Sequence, residues 1–277
     1  MIGQAKRLYE LNEIARLKYD KSESGKIVAF ASGKGGVGKT FLSLNLAMAL
    51  AERRKKILVI DLDFNLSNIN VLINSSSGNK LQKYFLNEKS LSELIYGYNT
   101  NLHFIFGDSG ISDYPEITET ALYKLFQDVK YNLSVKYDFV FLDLSPGLNK
   151  NVLTALTLAD EIILLTTPEP TSVMDSYVVV KMLKASGLDS PVNIIVNKAD
   201  KTQAETAYGN LHQAVDHFLN FQIKYLGSVS NSAEVTESII EQKPFFEHYS
   251  DSPVVADLRM IAEKVIKINH VVNNSHS

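Results

Sequence analysis

Residues 26–45 read K-I-V-A-F-A-S-G-K-G-G-V-G-K-T-F-L-S-L-N, and this stretch decides the fold. Ile27 to Ala31 is a short apolar run with a β-branched start, which predicts a buried strand. Gly33 to Thr40 fits G-x-x-x-x-G-K-[ST]. After it, Leu42, Leu44, Leu46, Ala47, Ala49 and Leu50 recur at helical spacing. Strand, glycine loop and helix in that order make the motif a phosphate site. Gly33, Gly35, Gly36 and Gly38 allow backbone N–H groups to approach an anion closely. The helix that follows adds roughly half a positive charge at its N-terminus. Lys39 supplies a mobile cation for the β- and γ-phosphates, and Thr40 offers a hydroxyl to Mg²⁺. The whole run from Gly33 to Phe41, Val37 included, is assigned to nucleotide binding.

Working outward, Ile57 to Ile60 predicts a second buried strand that ends in Asp61-Leu62-Asp63. Carboxylates at the C-terminal end of a parallel strand lie beside the phosphate loop. Asp61 is a metal candidate, and Asp63 is placed to orient a water. The next loop is polar through Asn65, Ser67 and Asn68, with Asn68 as a switch residue. A second acidic strand end, Asp143-Leu144-Ser145-Pro146-Gly147, follows the predicted strand 137–142. Asp143 suits Mg²⁺ through water, and Gly147 suits a γ-phosphate sensor.

Further strands are predicted over 101–107, 161–166, 192–196 and 223–229. Helices are predicted over 81–98, 119–135, 171–186 with Thr171 as cap, 204–220, 232–241 and 252–269. Strand and helix alternate, so the expected architecture is a doubly wound, mostly parallel sheet of about seven to eight strands with helices on both faces. The domain division is an N-terminal amphipathic arm and linker over 1–25, then a single P-loop domain over 26–277. The arm carries Ile2, Ala5, Leu8 and Ala15 in a rough helical stripe, and Asp20 to Gly25 reads as linker.

The chain has 277 residues and a net charge of −3, so no strong nucleic-acid signal is present. It has no cysteine, which excludes disulfides, Cys-ligated zinc and iron–sulfur clusters. No apolar run has the length of a membrane span, and the N-terminus is polar and of mixed charge. The expected location is therefore the cytoplasm.

Lys34 is a second lysine inside the loop. K-G-G-V-G-K-T, I-D-L-D and D-L-S-P-G together resemble the MinD/ParA family of deviant Walker A (SIMIBI) ATPases across residues 26–269. The resemblance implies a slow, partner-stimulated ATPase using ATP and Mg²⁺. It also implies an ATP-bound homodimer in which Lys34 reaches the partner's nucleotide, so Lys34, Lys39 and Asp63 are the implied catalytic set. Within the family, I-D-L-D-F-N-L-S-N-I-N, L-S-E-L-I-Y-G and N-L-H-F-I-F-G-D-S-G look most like the FlhG/FleN group, which controls flagellar number and placement. That group implies an FlhF-type GTPase as partner of the arm, and flagellar switch or transcription-regulator proteins as further partners. It adds transient residence at the inner membrane face or cell pole. Gln4-Ala5-Lys6-Arg7-Leu8 matches the middle of the group's arm motif, while Gly3 and Tyr9 depart from its ends.

Asn197-Lys198-Ala199-Asp200 fits N-K-x-D, the guanine-reading motif, yet the same Asn contacts adenine in the resembled family. The motif alone does not choose; the lysine pair favours ATP. Alternative functions are another spatial, division or partition regulator, and a nucleotide-dependent binding module with negligible turnover. A ligase of the dethiobiotin-synthetase type shares the fold but has no need of Lys34. Membrane contact is expected to be weak or absent. The stretch after Asn269 lacks aromatic and basic residues, and Leu258, Ile261 and Val265 have the spacing of a core helix.

Overall fold

The computed structural model describes residues 25–63, 67–75, 78–108, 117–188 and 190–271. The expectations for the arm, for Asn65 and for the tail after Val271 lie outside the described residues. In chain order the elements are β1 (Lys26–Ser32), α1 (Lys39–Glu52), β2 (Ile57–Leu62), α2 (Ile69–Leu72), α3 (Gln82–Phe85), α4 (Leu91–Leu94), β3 (Tyr96–Gly97) and β4 (Leu102–Ile105). Then come α5 (Glu119–Asp128), β5 (Phe139–Leu144), α6 (Lys150–Leu158), β6 (Glu161–Thr166), α7 (Pro170–Ala185), β7 (Val192–Asn197), α8 (Lys201–Leu219) and β8 (Ile223–Val229). The last three are α9 (Ala233–Glu241), α10 (Phe245–His248) and α11 (Pro253–Val271).

The strands form one eight-stranded sheet in the order β3-β4-β2-β5-β1-β6-β7-β8. Every pairing is parallel except β3 with β4. This is the expected doubly wound architecture. The central strands are apolar on both faces except near their ends because both faces are covered. Ile27, Ala29 and Ala31 of β1 point into one core with α5, α6, α7 and α8. Val28 and Phe30 point into the other, with α1, α10 and α11. The chain reverses strand order next to β1, where β5 and β6 flank it, so the crevice beyond the C-terminal ends of β1, β2 and β5 is the topological switch point.

α1 has no polar face, since Phe41 through Ala51 are all buried. It lies between the sheet and α11, and the ring of Phe41 meets Phe245 of α10 edge-on at 5.2 Å. Asn45 is buried in this layer, where its Nδ2 donates to the Phe41 carbonyl and its Oδ1 accepts from Phe246 N–H at 3.1 Å. On the outer side, Arg259 of α11 makes a two-pronged ion pair with Glu52.

Three local expectations are corrected. Residues 81–98 are not one helix. Two single turns, α3 and α4, are followed by β3 pairing antiparallel with β4. Ser90 does cap α4 in a capping box with Glu93, but Tyr96 packs on Phe106 and Tyr98 on Phe104, and these contacts select extended backbone. Thr171 does not cap α7; Glu169 stands at the N-cap and Pro170 opens the helix, where its missing N–H costs nothing. Residues 129–135 end in a π turn and a 3₁₀ turn rather than continuing α5.

Candidate nucleotide site

The loop between β1 and α1 turns in the left-handed region twice, with φ of 79° at Gly36 and 90° at Gly38. At Gly38 a side chain is excluded twice over, because a Cβ there would lie 2.4 Å from Asn197 Nδ2. Gly38 is also the N-cap of α1 and provides no side-chain cap, so the first N–H groups of a 14-residue helix are left to a ligand. Gly33 abuts the backbone of Asp175 on α7, and Gly35 faces the Pro146 ring. The side chains of Val37 and Phe41 are buried in the core, so only their backbone is available to a nucleotide.

Lys39 and Thr40 begin α1. Lys39 is 6% exposed and its Nζ donates to Asp143 Oδ1 at 2.8 Å. Asp143 pairs in register with Asp61 across β5 and β2, and both carboxylates are fully buried. One ammonium thus faces two carboxylates. Burial, and next the charge of Asp143, push Asp61 up to about 7, against the pull of Ser67, of the Asp63 N–H and of Lys39. Asp61 Oδ2 accepts from Ser67 Oγ at 2.6 Å and Oδ1 from Asp63 N–H at 3.0 Å. Asp143 Oδ2 is buried with no hydrogen-bond partner among the described residues.

Asp63 stands one residue past β2, where its Oδ1 accepts from Ser145 Oγ at 3.2 Å. Asn68 is exposed and caps the short α2 with its carbonyl. Gly147 takes φ of 77°, and its N–H donates to the Ser32 carbonyl at 2.9 Å, so its amide is engaged with the start of the phosphate loop. Lys34 is not in the buried triad. It projects from the rim, where its Nζ donates to Thr171 Oγ1 at 3.3 Å. The neighbouring Thr167 side chain and the backbone hold Glu169 below the usual carboxylate range, aided by the charges of Lys34 and Lys198.

The N-K-A-D segment closes the far side. Asn197 Nδ2 donates to the Val37 carbonyl at 2.7 Å, and Lys198 Nζ to the Gly36 carbonyl at 3.0 Å. Lys198 accepts a left-handed φ of 57° to do so. Asp200 is spent locally: its Oδ1 accepts from Gln203 N–H at 2.8 Å in the capping box of α8.

The structure therefore brings Gly33 to Thr40, Asp61, Asp63, Asp143, Gly147, Asn197 and Lys198 to one end of the sheet. Residue spacing alone did not assign Ser145, Ser67 or Thr171 a place in it. Ser145 sits inside the quoted D-L-S-P-G, and a hydroxyl two residues past a buried acid was the signal available.

A family model described as an AAA domain matches residues 25–186. The antiactivator FleN of Pseudomonas aeruginosa is 25% identical over 244 residues, covering 87% of this chain and 86% of that protein. The flagellum site-determining protein YlxH of Helicobacter pylori is 29% identical over 246 residues, covering 88% of this chain and 83% of that protein. Among solved structures, the septum site-determining protein MinD of Pyrococcus horikoshii, complexed with Mg-ADP, superposes with a TM-score of 0.74 at 23% identity. It covers 89% of this chain and 98% of that one, and at this identity the likeness speaks for the fold.

Proposed function

Because the chain belongs to the MinD/ParA family of P-loop ATPases, we propose that it is an ATP-driven switch that dimerises around the nucleotide and regulates flagellar number or placement through partner proteins. The flagellar assignment rests on the likeness to FleN and YlxH. The arm over 1–25 and the ATPase domain over 26–277 are part of this reading, as are a cytoplasmic location and an FlhF-type partner.

The observation that carries the nucleotide reading is the buried triad Lys39–Asp143–Asp61, with one acceptor of Asp143 unanswered. Two carboxylates against one ammonium leave an excess of negative charge, and a divalent cation relieves it. The residues present therefore fit Mg²⁺: Thr40 through its hydroxyl, Asp61 and Asp143 as carboxylates. Held by these residues, Mg²⁺ would supply positive charge to the bound phosphates. Lys39 moves from Asp143 to the phosphates, while the α1 N-terminus and the loop N–H groups receive them. Asp63 orients the attacking water. Gly147 exchanges Ser32 for the γ-phosphate and, with Asn68, reports its presence.

Lys34 serves the partner subunit in this reading. It is half-buried at the rim, its ammonium held by a long hydrogen bond to a hydroxyl and by the charge of Glu169, so little is lost when it swings outward. Light scattering with Mg·ATP tests the idea: the wild-type protein is expected to double in mass, while Lys34→Ala binds nucleotide and stays monomeric. A Lys34→Ala protein that dimerises normally removes the cross-subunit role.

The base is adenine in this proposal. Guanine reading by N-K-x-D requires the Asp carboxylate to accept from the base, and Asp200 instead accepts from Gln203 N–H in its helix cap. Titration calorimetry is expected to give Mg·ATP at least about 10-fold tighter binding than Mg·GTP, the scale of one charge-assisted hydrogen bond. Asn197→Ala weakens both, because Asn197 also holds the Val37 carbonyl of the phosphate loop. Tighter GTP binding reverses the assignment.

A further inference from the structure

We propose that Ser145 is a positioning residue that couples the D-L-S-P-G loop to Asp63 and so sets the rate of hydrolysis. The inference rests on the ATPase reading above, and on Asp63 as the group that orients water.

Ser145 is 7% exposed and lies just past the end of β5. Its hydroxyl is 3.2 Å from Asp63 Oδ1 and 3.4 Å from the Leu62 carbonyl. A hydroxyl carries one proton, so it donates to one of these at a time. Donation to the carboxylate fixes one oxygen of Asp63 and with it the plane of the other. Donation to Leu62 removes this one tie on the carboxylate. The β2–β5 register places Leu62 opposite Leu144, so Ser145 and Asp63 are the first residues beyond a paired strand end.

On the other side, Pro146 and Gly147 follow directly. The Gly147 N–H is held by the Ser32 carbonyl at 2.9 Å. A γ-phosphate that draws this N–H away from Ser32 displaces the loop two residues from the Ser145 hydroxyl. Ser145 is the only side chain in 145–147 able to pass that displacement on by a hydrogen bond, since Pro146 and Gly147 carry no polar side-chain atom. The same hydroxyl that orients the carboxylate therefore also senses the loop.

The test uses the full chain and single-turnover hydrolysis of Mg·ATP, with calorimetric nucleotide binding on the same samples. Ser145→Ala is expected to lower the rate of the chemical step about 10-fold, the scale of a hydrogen bond to a charged group. Nucleotide affinity should stay within about 2-fold, because Ser145 touches neither the phosphate loop nor the acidic pair. Ser145→Thr keeps the hydroxyl and restores the rate to within about 3-fold. In an Asp63→Ala background, Ser145→Ala should add no further loss, since the group it positions is gone. A Ser145→Ala protein at wild-type rate overturns the proposal, as does an equal 10-fold loss in the Asp63→Ala background or a failure of Thr to rescue. If Asp63→Ala itself hydrolyses at wild-type rate, the ATPase reading of Asp63 falls and this inference falls with it. If Asp63→Ala is slow while Ser145→Ala is not, only the positioning role is lost.

Discussion

Lys39→Ala is expected to abolish nucleotide binding and to weaken the fold at the same time, with the second effect growing as pH rises. The affinity loss, read by calorimetry with Mg·ATP, should be on the order of 100-fold or more, because a mobile ammonium makes charge-assisted bonds to two phosphates. The stability loss has a different origin. Lys39 is the cation that meets Asp143 in a fully buried environment, and Asp61 lies opposite Asp143 on the next strand. Removing one partner of a buried ion pair leaves uncompensated charge and costs about 3–5 kcal/mol. The direction with pH follows from Asp61, which folding raises from the ordinary carboxylate range to about 7. A group raised on folding contributes its stability below the unfolded value, and that contribution is lost as pH rises through the folded value. Between about pH 4 and 7 Asp61 keeps a proton in the folded protein that it has lost in the unfolded chain, so its contribution falls across that window. Without Lys39 to lower it, Asp61 titrates higher still, and the variant should be more stable at pH 5.5 than at pH 8. Urea midpoints at pH 5.5 and 8 measure this. A variant that binds Mg·ATP as the wild type does, or that is no weaker at pH 8 than at pH 5.5, contradicts the triad as described.

Asp63→Ala should cut ATP turnover by about 10²–10⁴-fold, the usual contribution of a group that positions or accepts a proton, while nucleotide binding changes little. The fold should tolerate the change. Asp63 lies past the end of β2, and the bond it makes to Asp61 runs through its backbone N–H, which alanine keeps. The protein is thus expected to accumulate as an ATP-bound dimer, visible as a species that no longer decays to monomer after Mg·ATP is added. Wild-type turnover in this variant refutes the assignment. Asp143→Ala is a separate defect: Mg²⁺ dependence weakens, and buried Lys39 loses its counter-ion.

Much of the site could be read from residue order. Lysines and glycines at fixed spacing, bracketed by an apolar run and an apolar helix, leave few alternatives to a phosphate loop, and the family resemblance supplied the base segment. What remained hidden depends on distant contacts. Nothing near Asn197 announces that its amide holds Val37, 160 positions away in sequence. Asp200 reads equally well as a base reader and as a helix cap, and residue order does not reveal the closed box with Gln203. Likewise the helical spacing around Leu91 gave no hint of the two-residue strand beyond it, because aromatic packing on Phe104 and Phe106 selects that conformation.

The absence of a polar face on α1 bears on how the protein is made. A helix buried on every side is not held by its own sequence; it is held by what covers it. Asn45 of α1 accepts its bond from Phe246, 201 residues further on. At 5–20 residues per second, roughly 10–40 s of synthesis separate the two. During that interval the phosphate loop has emerged from the ribosome, but the outer wall of the helix it leads into has not. Nascent chains therefore carry a recognisable Walker motif on an unclad, sticky helix. Such a chain gains from protection against aggregation until Phe246 and the helices that cover α1 have been made.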